Sequence, residues 1–304
     1  MTGYRAASPY RMHHRTPFRR AAAACLLLTA PAVLACTHVV PAAASQAATA
    51  VAAALPDPVP AHDTFTVHSA ALGEPRPINV YLPPQYRLAA SATVRFPVLY
   101  MPDGGLDEDF PHVANTVDSL IALGVIRPVL VVGVPNTQRR RDLTGLTHVK
   151  SDSAIAPRVG GSAAFRRFLR AELMPEIAGR YRASDERGIV GESLAGLFIV
   201  ETFLCEPALF THYVVFDPSV WWDGGALVDS AAARLADYDG SVARTLDLSS
   251  SDEPSTAVGT ARLAAILGQV SPPGLRWRYE PRPDLTHGNI FRTLAPEALA
   301  AALR

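Results

Sequence analysis

Cysteine is scarce in this chain of 304 residues: there are three, Cys25, Cys36 and Cys205. The first two fall in or beside an N-terminal leader. That leaves Cys205 alone in the folded part, where no internal disulfide can form. It lies on an apolar stretch and is expected to be a small buried hydrophobe rather than a reactive thiol. A surplus of charge is also missing, because 28 basic and 28 acidic side chains cancel. Nothing in that balance draws the chain to nucleic acid or to an anionic membrane, and a small molecule is the default partner. No internal repeat is present, and no His-rich or Cys-rich spacing of a metal site. Neither a metal nor an organic cofactor is expected. The longest apolar run, Ala21 to Ala35, has about fifteen residues and is interrupted by Pro31. A spanning helix needs roughly twenty.

What the amino terminus does have is the pattern of an export signal: Arg15, Arg19 and Arg20, then that short apolar run. Residues 1–36 are read as this signal, which places the chain in the periplasm or outside the cell. Two cleavage schemes are open. Ala42-Ala43-Ala44 offers an ordinary small-residue site, while Val33-Leu34-Ala35-Cys36 resembles a lipobox and would leave a lipid anchor on Cys36. The Arg19-Arg20 pair lacks the surroundings of a twin-arginine signal. Residues 37–61, rich in Ala and Pro, have no apolar face of their own and read as a tether. The fold is expected to occupy residues 62–304. With 49% hydrophobic residues the chain can fill the core of one large domain.

Within that span strand and helix patterns alternate. Thr64 to His68 and Pro77 to Leu82 read as an antiparallel edge, the second stopped by Pro83-Pro84. Phe96 to Met101 and Pro128 to Val134 are continuous apolar runs, as expected of strands covered on both faces. Tyr213 to Phe216, Ala243 to Leu248 and Leu275 to Tyr279 supply three more. Helical periodicity marks Val113 to Leu123, Ala163 to Tyr181, Leu227 to Ala236 and Thr256 to Leu267, with a closing helix from Pro296 to Leu303. The expected class is α/β, a mostly parallel central sheet with helices on both faces and a site at the carboxyl ends of the strands.

The chemistry is written most clearly at Gly191-Glu192-Ser193-Leu194-Ala195-Gly196, between apolar Gly188-Ile189-Val190 and Leu197-Phe198-Ile199-Val200. A serine at a sharp strand-to-helix turn, with small residues two positions to either side, is the nucleophile elbow of an α/β-hydrolase. Ala195 stands where glycine is usual. Ser193 needs a base, and chain order in this fold puts the base last; His287 in Thr286-His287-Gly288 is the one histidine after the final strand. The acid is expected in Ser251-Asp252-Glu253, Asp252 first and Glu253 next, with Asp217 in reserve and a Ser-His dyad as the remaining alternative. The tetrahedral intermediate needs two backbone donors, assigned to Leu194 and to Gly104 or Gly105 in the loop after Phe96 to Met101.

These residues resemble the esterase family of α/β-hydrolases that includes the enterochelin and salmochelin trilactone esterases, with formylglutathione hydrolases and mycolyltransferases as more distant relatives. The resemblance runs from Ile78 to the end. It is carried by Val80-Tyr81-Leu82-Pro83-Pro84, Phe96-Pro97-Val98-Leu99-Tyr100-Met101-Pro102-Asp103-Gly104, Asn136 to Thr144, the elbow, Pro218-Ser219-Val220-Trp221-Trp222 and Thr286-His287-Gly288. It implies Ser193 as nucleophile, His287 as base and the Asp103-Gly104 loop as the oxyanion loop. It also suggests substrate contacts: Arg139, Arg140 or Arg141 toward an anionic or catechol group, Trp221 and Trp222 as walls of an aromatic pocket. The function expected is ester hydrolysis through an acyl-enzyme, on a siderophore-like lactone or an aromatic acyl ester. Acyl transfer from the same site, and a non-catalytic binding module on this fold, are the alternatives.

Overall fold

The computed structural model describes residues 57–304, and the leader, Cys36 and residues 37–56 of the tether lie outside them. Eight strands form a single sheet: β1 Asp63–Ser69, β2 Glu74–Tyr81, β3 Phe96–Pro102, β4 Leu130–Val134, β5 Ala183–Glu192, β6 His212–Phe216, β7 Arg244–Ser250 and β8 Leu275–Pro281. Their order is β1-β2-β4-β3-β5-β6-β7-β8. β1 and β2 form an antiparallel hairpin, β2 joins β4 antiparallel, and every other pair is parallel. This is the α/β-hydrolase arrangement that the alternating pattern implies.

The two readings of strand pattern have a visible cause. In β1 exposure alternates residue by residue, as a strand with one wet face requires. In β3 every residue is buried. Val98 and Tyr100 join one core layer while Leu99 and Met101 join the other, so a continuous apolar run feeds two cores at once. In β6, Tyr213 and Val215 face the first layer, and Val214 and Phe216 the second.

The second layer is closed by α1 Phe110–Ala122 and α10 Ile290–Leu303. The first is closed by α4 Ser162–Phe168, α5 Met174–Arg180, α6 Ser193–Cys205, α8 Ala231–Ala236 and α9 Pro254–Val270. Short turns α2 Arg139–Leu143, α3 Lys150–Ala154 and α7 Ala226–Asp229 lie in the connections. None of the described helices is long and apolar enough to cross a membrane.

Three expectations are corrected. The stretch expected as one helix from Ala163 to Tyr181 is broken by a π-helical turn, Leu169–Leu173, just ahead of Pro175. Proline cannot donate the next helical bond, and a wider turn absorbs the interruption. The closing helix starts at Ile290 rather than Pro296, which sits inside it. Burial of Ile290, Phe291, Leu294 and Ala295 on the sheet outweighs one lost bond. Cys205 is exposed, not buried, because it is the last residue of α6; the Arg234 guanidinium lies against its sulfur.

Candidate active site

Three loops leave the carboxyl ends of adjacent strands through strained residues. Asp103 after β3, Ser193 after β5 and Asp217 after β6 have φ of 54°, 58° and 45°, the left-handed region that β-carbon crowding disfavours. The elbow explains its own composition. A β-carbon at Gly191 would sit 2.7 Å from that of Ala195, so one of the two must be glycine; here Gly191 supplies the space that Ala195 uses. Gly196 lets α6 approach Pro218, whose α-carbon lies 3.0 Å from where a side chain would begin. The turn holds Ser193 at the head of α6, and its carbonyl accepts the Ser219 N–H at 3.0 Å.

His287 reaches this serine from the loop between β8 and α10. Its Nε2 is 3.2 Å from Ser193 Oγ, and its Nδ1 is 2.5 Å from Asp217 Oδ2. The imidazole is 41% exposed, whereas Asp217 is wholly buried. Ser219 Oγ stands 3.4 Å from Ser193 Oγ on the far side.

The acid facing His287 is therefore Asp217, the reserve candidate, and not Asp252 or Glu253. Both of those are exposed. The Glu253 carboxylate caps α9 by accepting the Ser255 N–H, and the Asp252 backbone N–H ties its loop to the Leu285 carbonyl. The loop after β7 still matters, because it buttresses Asp217: Ser251 donates its N–H and hydroxyl at 3.0 and 2.6 Å, and Thr256 its hydroxyl at 2.5 Å. Burial alone would raise the Asp217 carboxyl, but hydrogen bonds from His287, Ser251 and Thr256 outweigh it and hold the group below its ordinary value. The bond to Asp217 in turn raises the His287 imidazole above its ordinary value.

The oxyanion candidates divide. Leu194 sits in the first turn of α6, where a backbone N–H has no intrahelical acceptor. Gly104 is excluded as a donor because its N–H is spent on the Val134 carbonyl at 3.1 Å, and a β-carbon there would strike β4. The Gly105 N–H is held by the Glu108 carboxylate at 2.7 Å, which Asn136 also grips.

The arginines expected as substrate contacts are largely engaged within the protein. Arg139 makes a two-pronged bond to Asp103 at 2.7 Å each. Arg141 is paired with Glu74 and Asp142, and Arg140 donates to the Ile155 carbonyl. They line a cavity of about 530 Å³ with Gln138 and Arg158. The tryptophans part company. Trp222 is 3% exposed and its indole N–H is bound to the Gly145 carbonyl, so it is core. Trp221 is 37% exposed and walls a cavity of about 550 Å³ with Val220, Val228 and Val258.

A group that sequence reasoning passed over stands beside Ser193. Glu192 is pushed up to about 7 by burial, and Asp109 at the head of α1 to about 6 by burial and the nearby Asp103 charge. The signal for Glu192 was its position in the elbow, directly before Ser193. No cluster of three or more metal-ligating side chains occurs among the described residues.

Comparison with known proteins places this geometry. The chain is 30% identical over 149 residues to the ferri-bacillibactin esterase BesA of Bacillus subtilis, covering 42% of this chain and 49% of that one. It is 26% identical over 191 residues to the siderophore triacetylfusarinine C esterase of Aspergillus fumigatus, covering 59% and 62%. The match thus spans between about half and three fifths of these relatives. In fold it is similar to an IroE-like serine hydrolase from Shewanella oneidensis, with a TM-score of 0.70 at 23% identity over 80% of both chains. The family described as "Putative esterase" matches residues 69–260, well over half of the sequence, and the chain belongs to that family.

Proposed function

We propose that the protein is an exported serine ester hydrolase working through an acyl-enzyme. The observation that carries this reading is the continuous line of contacts from Ser193 Oγ through His287 to buried Asp217. As Ser193 attacks an ester carbonyl, His287 Nε2 takes its proton, and Asp217 stabilises the imidazolium through Nδ1. The Leu194 amide meets the developing oxyanion; Gly105 joins it once the Glu108 carboxylate withdraws. His287 returns the proton to the leaving alcohol, then activates water to release the acid. None of these steps calls on a cofactor.

The substrate class we propose is a small ester, a siderophore-like lactone or an aromatic acyl ester. Support comes from relatives whose names record siderophore ester cleavage, and from exposed Trp221, two residues beyond Ser219 at the nucleophile. Export rests on the leader pattern in residues 1–36. Amino-terminal sequencing of the mature protein tests it, and separates cleavage after the alanine run from lipid attachment at Cys36.

The decisive experiment for the chemistry is Ser193→Ala. Turnover of short p-nitrophenyl esters and labelling by a fluorophosphonate probe should both vanish while the circular dichroism spectrum is kept. Residual turnover in that variant would reject the nucleophile. A panel of esters that includes a catecholate trilactone and a feruloyl ester then ranks the substrate classes by kcat/KM.

A further inference from the structure

Glu192 has a placement that the Ser193–His287–Asp217 line does not use. It is the last residue of β5, paired in register with Phe216 of β6, the residue just before Asp217. Side chains alternate along a strand, so Glu192 follows Val190 onto the face covered by α1 and α10. His287 lies three residues before α10 begins, at that same end. The Glu192 Oε1 atom is buried there without a hydrogen-bond partner, an uncompensated cost unless the group acts electrostatically.

Resting on the assignment of Ser193 and His287 above, we infer that Glu192 is a positioning residue for His287: a second carboxylate that, with Asp217, stabilises the imidazolium formed when the serine is deprotonated. Asp217 holds the ring by a directed bond at Nδ1. Glu192 acts through space from the β5 side. The charged groups that face it are His287 on the β8–α10 loop, Asp109 at the head of α1, Asp217 after β6 and Arg139 on α2. Those that face His287 are Asp217, Glu192 and Glu253. Burial, Asp109 and Asp217 favour the protonated Glu192, and His287 and Arg139 favour the ionised one. The Glu192 carboxyl thus sits well above the ordinary carboxylate range and the His287 imidazole above its own ordinary value, so the charge on each bears on the proton of the other.

The test is the Glu192→Gln variant, which keeps shape and removes charge. Its kcat should fall about tenfold with KM little changed, the scale expected of one unit of imidazole stabilisation. The acid limb of its kcat/KM profile should move to lower pH, because the imidazole loses a neighbour that favours its charged form. Glu192→Asp, which keeps the charge, should restore the limb. An unmoved limb in the Gln variant, or a loss confined to KM, would overturn the role. A readout independent of turnover is the NMR titration of the His287 ring. In the unmutated protein it should follow two steps, its own and that of Glu192, and in the Gln variant one step at lower pH. A one-step curve in the unmutated protein refutes the pairing even if no variant folds. If Ser193→Ala keeps turnover while His287 still titrates in two steps, the nucleophile assignment fails and the Glu192 coupling stands.

Discussion

Asp217 faces His287 because β6 ends one residue before it and the chain turns sharply there, with a positive φ that aims the carboxylate across the head of α6. The meeting of Ser193 and His287 was legible without coordinates. The elbow is a local steric rule, and chain order leaves one histidine after β8. The acid was not legible, since Asp217, Asp252 and Glu253 all follow parallel strands, and the sequence does not say which loop curls under the imidazole. What decides it is burial. Asp217 is enclosed by donors from Ser251 and Thr256, while Asp252 and Glu253 remain in water, one of them capping a helix. Asp217→Asn should therefore lower kcat by about 10³–10⁴, the scale seen when the orienting carboxylate of such a site becomes an amide. Asp252→Ala and Glu253→Ala should stay within a few-fold, as expected of exposed carboxylates, of which Glu253 meets the imidazole only as a solvent-screened charge. The hydrogen bond to Asp217 is the chief cause of the raised His287 value. A general base at His287 would act when neutral, so the acid limb of kcat/KM should lie above the ordinary histidine value and move to lower pH in Asp217→Asn. Steady-state kinetics between pH 5 and 9 on a p-nitrophenyl ester checks all three variants.

At the scale of elements, the strands were legible and the helix ends were not. Every strand read from pattern overlaps an observed one, because a strand covered on both faces leaves an unbroken apolar run and an edge strand alternates; β2 begins three residues before Pro77 and β5 five before Gly188, where polar residues interrupt the pattern. Helix boundaries depended on contests that pattern does not display, such as Pro296 against the buried face of α10. The elbow is where an element boundary is most tightly specified. Gly191 is the penultimate residue of β5 and Ala195 lies in the first turn of α6, with their β positions 2.7 Å apart. Adding a methyl by Gly191→Ala forces strand and helix apart and should cost about 1–3 kcal/mol, the usual price of overpacking. It should also lower kcat by moving Ser193 off its line to His287. Ala195→Gly alone removes no contact that Gly191 makes and should cost about 1 kcal/mol through helix propensity. In the double variant the 2.7 Å clash is gone and the flexible end of Ile199, 3.1 Å away, is the next contact to yield, so its loss should approach that of Ala195→Gly rather than the sum. Urea unfolding of the three variants, read with kcat, checks this non-additivity.

Across the whole molecule, the edge of the sheet is tied to the catalytic end by a buried cation that no motif announces. Arg76 of β2 has no exposed surface. Its guanidinium donates to Asp142 of α2 at 2.5 Å, to Thr137 at 3.0 Å and to the Pro135 carbonyl at 2.9 Å, with the Phe165 ring 5.4 Å away. Pro135 and Thr137 follow β4, and α2 begins with Arg139, which grips Asp103 at the strained exit of β3. One arginine on the strand next to the sheet edge thus fixes the loop whose next arginine braces the strained exit of β3 beside the site. Arg76→Met should destabilise by about 3–5 kcal/mol, because it leaves a buried carboxylate with one partner fewer rather than removing a pair. Adding Asp142→Leu should recover part of that loss, since an apolar pair of similar volume replaces the orphaned charge. The two changes differ in their effect on chemistry. Both remove the Arg76 tie between β2 and α2 and leave the Arg141–Glu74 pair to join them, so kcat should stay depressed in the double variant even where the urea midpoint recovers. Recovery of both together would mean that Arg76 acts on stability alone, with no part in holding Arg139 and Asp103 in place.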